Sequence, residues 1–284
     1  KFWTNMTDKY RRDEALFGWY GLETPDMQDA SPETMLQVYR QSPGPYEAIA
    51  EMDAHHPIIL ALRPNSTMSR FAESTDIVVA WTAPVPRWPL TTVCDSVREA
   101  IAAVEGRKPV WAAIQTTGLA WQEDLPPDDD TLVVPTVAQH RAMVYLALMS
   151  GAEGLVHYTW SVPPLRGRDS YRLSRDAPEL WEGVKLVTQQ IAWLAPVLTE
   201  SRPTPVATPE DSPLVMAAWD HDGVRYIAAV NPTDEVLALS FDLDAAANEE
   251  IEVLFEQRAL AATADGRVGD AFQPYEVHLY ARKL

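Results

Sequence analysis

The sequence predicts an α/β domain built on a parallel sheet over residues 1–200, followed by a small antiparallel β-sandwich over residues 201–284. Two observations predict the first domain: short, largely apolar segments occur along it, and they alternate with longer segments of helical period, which is the order of consecutive βα units. A third observation marks the second domain, because the helical period stops after the SRPTP stretch at residues 201–205 and period-two segments take over.

Five segments of the first domain are apolar on both faces, as expected of parallel strands that are covered by helices. Since one unit of a (β/α)₈ barrel takes about 30 residues, 200 residues with five strands fall short of eight units. Composition leaves two architectures open, a complete open parallel sheet and the last part of a barrel. The five segments are residues 15–20, 57–62, 76–81, 109–115 and 154–160.

Proline, serine and threonine mark the helix starts between these segments. Helices are predicted to begin at Ser31-Pro32, Thr91-Thr92, Pro135-Thr136 and Pro178. In the second domain, period-two alternation separated by polar turns predicts strands over residues 214–219, 224–230, 236–243, 250–255 and 276–281.

Charge and composition exclude several classes of function. The formal net charge of −18 disfavours binding to nucleic acid or to an anionic membrane surface, and no apolar run approaches the roughly 20 residues that span a bilayer. Clustered His and Cys ligands and a glycine-rich phosphate loop are absent, so neither a metal nor another cofactor is predicted. The single cysteine, Cys94, fits a cytoplasmic protein and a secreted one equally, and the compartment stays open because the chain begins with Lys1.

Several stretches resemble clan A glycoside hydrolases, in a bacterial branch similar to family 42. ALFGWYGLETPD at residues 15–26 resembles the fourth barrel strand, which this branch continues with Asp-Glu-Pro. Residues 76–86 (DIVVAWTAPVP) resemble the sixth strand, and residues 106–118 (GRKPVWAAIQTTG) resemble the seventh. Residues 135–160 (PTVAQHRAMVYLALMSGAEGLVHYTW) resemble the seventh helix and eighth strand. PELWEGVKLV at residues 178–187 resembles the closing helix, and PYEVHLYARKL at residues 274–284 the last strand of an appended β-domain.

The resemblance implies a (β/α)₈ TIM barrel without its first three βα units, followed by the β-sandwich. A closed barrel has no sheet edges, but five strands leave two. It therefore implies either self-association or an upstream half of the barrel that covers these edges.

Glycoside hydrolysis needs two carboxyl groups beside the glycosidic bond, and barrels place them at the carboxyl ends of strands. Glu23 is the candidate acid/base because it follows the first segment. A strict match to the branch places Thr24 on the catalytic position, so Glu23 serves only if the loop shifts by one residue. The alternative is a loop carboxylate that caps the next helix.

Candidate substrate-binding residues follow the other segments. Arg63 and Asn65 would bind sugar hydroxyls or a carboxylate, although turn residues have the same composition. Trp81 would stack on a sugar ring or belong to the core. Gln115 stands where the resemblance places the nucleophilic glutamate, and an amide can bind a hydroxyl but cannot attack an anomeric carbon. Gln139 likewise stands where the branch carries glutamate.

The last apolar segment, residues 154–160, adds two aromatic candidates. Tyr158 and Trp160 share one face of a strand, and Trp160 lies nearer its end, where a sugar would stack. His157 is expected to be a core histidine, because acid catalysis would require a carboxylate partner.

The resemblance implies a glycoside hydrolase-like protein that binds carbohydrate and hydrolyses O-glycosidic bonds of β-linked sugars. The alternative is a non-catalytic carbohydrate-binding or assembly protein on a degenerate or truncated barrel, which is favoured by Thr24, Gln115 and Gln139 at positions where the resemblance places carboxylates. Catalysis needs a second carboxylate, for which the candidates are Asp124, Asp169 and residues 128–130.

Overall fold

The computed structural model describes residues 2–23, 45–63, 68–72, 75–121, 132–164 and 169–284. The chain forms two compact units. The first unit comprises residues 1–82, 95–113 and 154–156, and the second comprises residues 83–94, 114–153 and 157–284. The change of sequence pattern at residue 201 thus lies inside the second unit, and the domain boundary drawn there stays a prediction.

A five-stranded sheet in the order β1-β2-β3-β4-β5 runs through the amino-terminal part of the chain, and the register is parallel from β1 to β4. Every side chain of β2 and β3 is buried, as a strand covered on both faces requires. The strands are β1 (Trp19–Glu23), β2 (Ile58–Leu62), β3 (Ile77–Trp81), β4 (Val110–Gln115) and β5 (Gly154–Tyr158).

The predicted bounds of the first and last strands of this sheet were wrong. The first strand begins at Trp19 and not at residue 15, because the backbone N–H groups of Ala15 and Leu16 donate to Asp13 and close a turn there. The last strand ends at Tyr158, so Trp160 lies beyond it and the two rings are not placed on one face by strand alternation. Apolar content alone does not mark where a ladder of hydrogen bonds starts or stops.

The helices follow the predicted start signals where those fall on described residues. Thr136 and Gln139 form a reciprocal capping box, in which each side chain bonds the backbone N–H of the other residue. Pro178 opens the longest helix. The start predicted at Ser31-Pro32 lies outside the described residues. The helices are α1 (Phe2–Tyr10), α2 (Pro45–Met52), α3 (Met68–Ala72), α4 (Thr92–Ala103), α5 (Val137–Met149), α6 (Leu173–Asp176) and α7 (Pro178–Glu200), with a 3₁₀ turn at Leu119–Trp121.

Gly154, the first residue of β5, lies against the indole of Trp111 on β4. A Cβ atom at residue 154 would stand 2.5 Å from the Trp111 ring, closer than carbon atoms can approach. We expect Gly154→Ala to lower the free energy of unfolding by about 1–3 kcal/mol, since the indole must move within a packed interior. Urea denaturation measures the change. Gly269→Ala is the matched control, because a Cβ atom there meets nothing within 4 Å; equal losses in both variants would contradict the steric explanation.

The second unit contains antiparallel β-structure, as predicted for residues 201–284. A six-stranded sheet in the order β13-β12-β15-β10-β9-β8 and the pair β11-β14 enclose a core that includes Phe241, Phe272 and Tyr280. The strands β8, β13 and β14 were not predicted, and β12 ends at Val253 and not at residue 255. The strands are β8 (Thr204–Pro205), β9 (Val215–His221), β10 (Val224–Val230), β11 (Leu237–Asp242), β12 (Glu250–Val253), β13 (Arg258–Ala261), β14 (Arg267–Phe272) and β15 (Val277–Lys283).

A two-stranded hairpin, β6 (Ser161–Val162) with β7 (Tyr171–Arg172), follows β5. Tyr171, Leu173 and Leu180 join this hairpin to α6 and α7 through a small apolar cluster. In the described part of the chain, no helix combines the length and the apolar character that crossing a bilayer requires.

Candidate functional site

The carboxyl ends of β1, β2 and β3 lie at one level in the first unit. Glu23 is paired with Ala61 in the register of the sheet, two residues before Arg63, and Leu62 is paired with Ala80, one residue before Trp81. Glu23 therefore ends β1 at the edge of the sheet that carries catalysis in barrel enzymes. Asn65 lies outside the described residues.

Arg63 and Trp81 are brought together at this edge. The guanidinium carbon of Arg63 lies 4.1 Å from the centre of the Trp81 ring, and the indole is only 5% exposed. A guanidinium stacked on an aromatic face is stabilised by the ring quadrupole and remains charged. The pair puts a positive charge at the strand ends, while the stacked face of Trp81 is occupied by the guanidinium.

Gln115 ends β4 in the second unit and is buried. Its Nε2 donates to the carbonyl oxygens of Val85 and Thr117, both at 2.9 Å, and its Oε1 accepts from the backbone N–H of Val85, also at 2.9 Å. Both amide hydrogens are therefore used inside the protein. The side chain joins the Val85 segment to the end of β4, and neither amide hydrogen is left to donate to a sugar hydroxyl.

The segment after β4 is joined to the end of β5 and to the hairpin. The backbone N–H of Thr116 donates to the Tyr158 carbonyl at 2.8 Å, and its hydroxyl donates to the Thr159 carbonyl at 3.1 Å. The Tyr171 hydroxyl donates to the Thr116 carbonyl at 2.7 Å. Burial raises the pKa of Tyr171 to about 12, so the hydroxyl keeps its proton at neutral pH. Sequence reasoning missed Tyr171 because no local pattern connects it with β4.

Trp160 is the exposed aromatic residue among the predicted contacts. Its ring is 46% exposed and meets the Trp181 ring edge-on, with 4.8 Å between the ring centres. Its carbonyl accepts from the N–H of Leu173, which fixes the backbone beside the hairpin. Tyr158 is half-buried in β5. An indole held at its edge and open on one side can receive the apolar face of a ring ligand.

The histidine of β5 has a histidine partner. His157 Nδ1 lies 3.1 Å from His140 Nε2 on α5, and burial lowers the pKa of both imidazoles, that of His140 to about 3. Both rings are consequently neutral at pH 7. No carboxylate contacts His157 among the described residues, which agrees with the core role expected of it.

Asp169, one of the candidate second carboxylates, lines a cleft of about 570 Å³ beside the hairpin, together with Leu132, Tyr171, Arg175 and Asp176. Asp124 and residues 128–130 lie outside the described residues. No three His, Cys, Asp or Glu side chains within the described ranges are grouped so as to bind a metal ion.

No protein-family model and no curated protein matches the sequence. Solved structures do match its fold. The chain superimposes on the maltogenic α-amylase AmyB from Thermotoga neapolitana with a TM-score of 0.59 and 10% identity, covering 100% of this chain and 65% of that one. For the α-amylase of Geobacillus thermoleovorans complexed with acarbose, the TM-score is 0.57 and the identity 12%, over 98% of this chain and 62% of that one.

A third similar structure is a family GH27 β-L-arabinopyranosidase from Geobacillus stearothermophilus in complex with arabinose. The TM-score is 0.56 and the identity 14%, over 89% of this chain and 61% of that one. The chain thus spans somewhat less than two thirds of these three proteins. At such identities the likeness shows the fold alone, which is that of the TIM-barrel glycoside hydrolases. The family 42-like branch stays a prediction.

Proposed function

We propose that this chain belongs to a glycoside hydrolase that cleaves O-glycosidic bonds of β-linked sugars, with Glu23 as its acid/base. The observation that carries the proposal is the position of Glu23 at the carboxyl end of β1, level with the end of β2. Similar solved structures are glycosidases, two of them complexed with acarbose or arabinose, which supports a carbohydrate ligand.

The protonated Glu23 carboxyl would donate its proton to the leaving glycosidic oxygen. In a retaining enzyme, a second carboxylate about 5–5.5 Å from the Glu23 carboxyl group would attack the anomeric carbon as the leaving group departs, and water deprotonated by Glu23 would then cleave the glycosyl-enzyme bond. In an inverting enzyme, the two carboxyl groups would be about 6.5–9.5 Å apart, and the second would deprotonate the water molecule that attacks the anomeric carbon. The sequence candidates for this second role are Asp124, Asp169 and residues 128–130. Trp160 would stack on a sugar ring, and Arg63 would bind a hydroxyl.

We expect Glu23→Gln to lower kcat/KM for aryl glycosides by about 10²–10⁴-fold, the usual contribution of a general acid. Hydrolysis of matched α- and β-linked nitrophenyl glycosides measures the loss and the preferred linkage. Dinitrophenyl glycosides should lose less, because their leaving group departs without a proton. The same comparison is made in a longer chain that supplies three upstream βα units.

Glu14→Gln is the matched control, since Glu14 is an exposed carboxylate in the turn before β1. Full activity of Glu23→Gln on every substrate would rule out its role as the acid/base. Asp169→Asn tests in the same assay whether Asp169 is the second carboxylate, and unchanged turnover would exclude it from that role.

A second candidate function is carbohydrate binding or assembly without catalysis. It is favoured by Gln115, an amide engaged inside the protein at the strand end where the resemblance places a nucleophile. This candidate predicts binding of oligosaccharides without turnover by both chain lengths.

A further inference from the structure

A cleft of about 250 Å³ lies in the second unit between the segment before α4 and two turns of the β-sandwich. Its lining includes Pro86, Trp88, Gln139, Thr233, Asp234 and Tyr275. None of the residues assigned above to sugar contact or catalysis lines it. The volume is smaller than the roughly 300–1,000 Å³ of pockets that enclose a drug-sized molecule, so the cleft would hold part of a longer ligand.

The sandwich wall of the cleft is held by a buried amide. Asn231 is 0% exposed, and its Nδ2 donates to the carbonyls of Glu235 at 2.7 Å and Gln273 at 2.9 Å. Its Oδ1 accepts from the backbone N–H and the hydroxyl of Thr233. The N–H of Tyr275 donates to the Thr233 carbonyl at 3.0 Å. The two turns are thus joined by internal hydrogen bonds before any ligand binds.

The opposite wall is held from strand β4. Gln115 bonds both the N–H and the carbonyl of Val85, and the N–H of Trp88 donates to the Pro84 carbonyl at 2.7 Å. The fixed φ of Pro86 and Pro89 restricts the same segment further. Trp88 is nevertheless 47% exposed. A large aromatic ring is therefore held open to solvent on a segment that loses little conformational freedom when a ligand binds.

Two polar groups beside the aromatic rings retain hydrogen-bonding capacity. The exposed Asp234 carboxylate makes no hydrogen bond within the described residues. The Gln139 Oε1 is used by the capping box, while its Nε2 has no acceptor in the described part of the chain. A carboxylate accepts from hydroxyl groups and an amide N–H donates to them, while aromatic faces cover apolar C–H surface.

We propose that this cleft is a second carbohydrate-binding site, which binds a short stretch of a neutral polysaccharide. Trp88 and Tyr275 pack on the sugar rings, Asp234 accepts from their hydroxyls and Gln139 donates to them. An anionic ligand is disfavoured by Asp234 and by the net charge of −18. A proline-rich peptide would also use aromatic and proline contacts, but the unpaired polar groups favour a ligand dense in hydroxyls.

Affinity electrophoresis in gels that contain soluble starch, β-glucan, xylan or galactomannan tests the site without requiring hydrolysis. We expect at least one polysaccharide to retard the chain, and Trp88→Ala to bind it about tenfold more weakly or worse, as for truncation of a central aromatic contact. Asp234→Asn should weaken the same interaction. Trp193→Ala is the matched control, because Trp193 is 53% exposed on α7 and lies outside the cleft.

Trp160→Ala distinguishes polysaccharide binding in this cleft from binding at the strand ends of the parallel sheet. If Trp160→Ala removes the retardation and Trp88→Ala does not, the proposed function keeps its support and the second site is overturned. Failure of every polysaccharide to retard the chain also overturns it. Tryptophan fluorescence titrations with a proline-rich peptide and with tetramethylammonium cover the remaining ligands, since aromatic rings beside a carboxylate also bind quaternary cations. The carbohydrate assignment would be overturned if the peptide or tetramethylammonium bound saturably, Trp88→Ala abolished that binding, and no polysaccharide bound.

Discussion

Asp270→Asn should lower the free energy of unfolding of the second unit by about 3 kcal/mol, because it removes a carboxylate on which two buried donors, His278 and Tyr280, and the partly exposed Arg258 converge. Asp270 Oδ2 lies 2.9 Å from Arg258, 2.8 Å from His278 Nδ1 and 2.8 Å from the Tyr280 hydroxyl. Because a carboxylate only accepts, His278 Nδ1 must carry a proton. An amide would direct its own N–H groups toward these donors. We take the low end of the range for a broken buried ion pair because Arg258 is 32% exposed.

The same contacts predict that the free energy of unfolding of this unit falls at acid pH. Burial alone would raise the pKa of Asp270, but hydrogen bonds from His278, Arg258 and Tyr280 outweigh it and hold the pKa well below its usual range. A depressed carboxyl pKa stabilises the folded state fully above the unfolded value of about 3.9, and the stabilisation is lost as the pH falls below that value. Asp270→Asn should remove this part of the pH dependence.

Urea denaturation between neutral and acid pH measures both effects. Asp220→Asn is the matched control: Asp220 forms two hydrogen bonds with Arg225 but is 45% exposed, so its loss should cost no more than about 1 kcal/mol. If Asp270→Asn is as stable as Asp220→Asn, the buried cluster contributes nothing beyond a surface ion pair.

Gln115→Glu should destabilise the second unit by about 2–6 kcal/mol, although it restores the residue that the resemblance places at this position. The substitution removes both amide hydrogens and leaves the carbonyls of Val85 and Thr117 facing a carboxylate. Each buried carbonyl that loses its donor costs about 1–3 kcal/mol. Burial also raises the pKa of a carboxyl group, so the deficit should grow as the pH rises above about 4.3, the unfolded value.

Gln139→Glu is the matched control for this substitution. Gln139 is the third residue of α5, where a capping box accepts glutamate equally and the helix amino terminus favours a negative charge. Denaturation midpoints at pH 4 and pH 7 for both variants make the comparison. A stable Gln115→Glu variant at pH 7 would show that the Val85 segment does not depend on the amide.

The sequence correctly predicted the helices and strands whose position depends only on residues within the element itself. The capping residues of α5 and the proline of α7 act within one turn of helix, and the buried segments of β2 and β3 read as covered strands because both faces are apolar. The start of β1 was misplaced because a turn closed on Asp13 is also apolar after residue 15. The strand β13 was missed because it has only four residues, and β14 was missed because Gly269 and Asp270 interrupt its apolar alternation.

In the candidate site, likewise, the sequence predicted the positions of residues along the strands but not their exposure to solvent. Sequence order was sufficient to put Glu23, Trp81 and Gln115 at strand ends, since parallel strands end at a common edge. Whether a strand-end side chain reaches solvent depends on its neighbours, and these come from distant parts of the chain. Gln115 is enclosed by the segment at Val85, and Trp81 lies beneath Arg63, whereas Trp160 is exposed.

The sequence by itself determined the βα rhythm, the acidic surface and the change to antiparallel strands after residue 201, because each depends on the local period or on composition. Only the tertiary structure decided that Gln115 supports one wall of the second cleft and that residues 85, 86, 88–90, 139, 232–234 and 275 line it. Those residues are up to 190 positions apart (275 − 85), and no local pattern encodes which of them meet. Packing and the satisfaction of buried hydrogen-bonding groups make that choice.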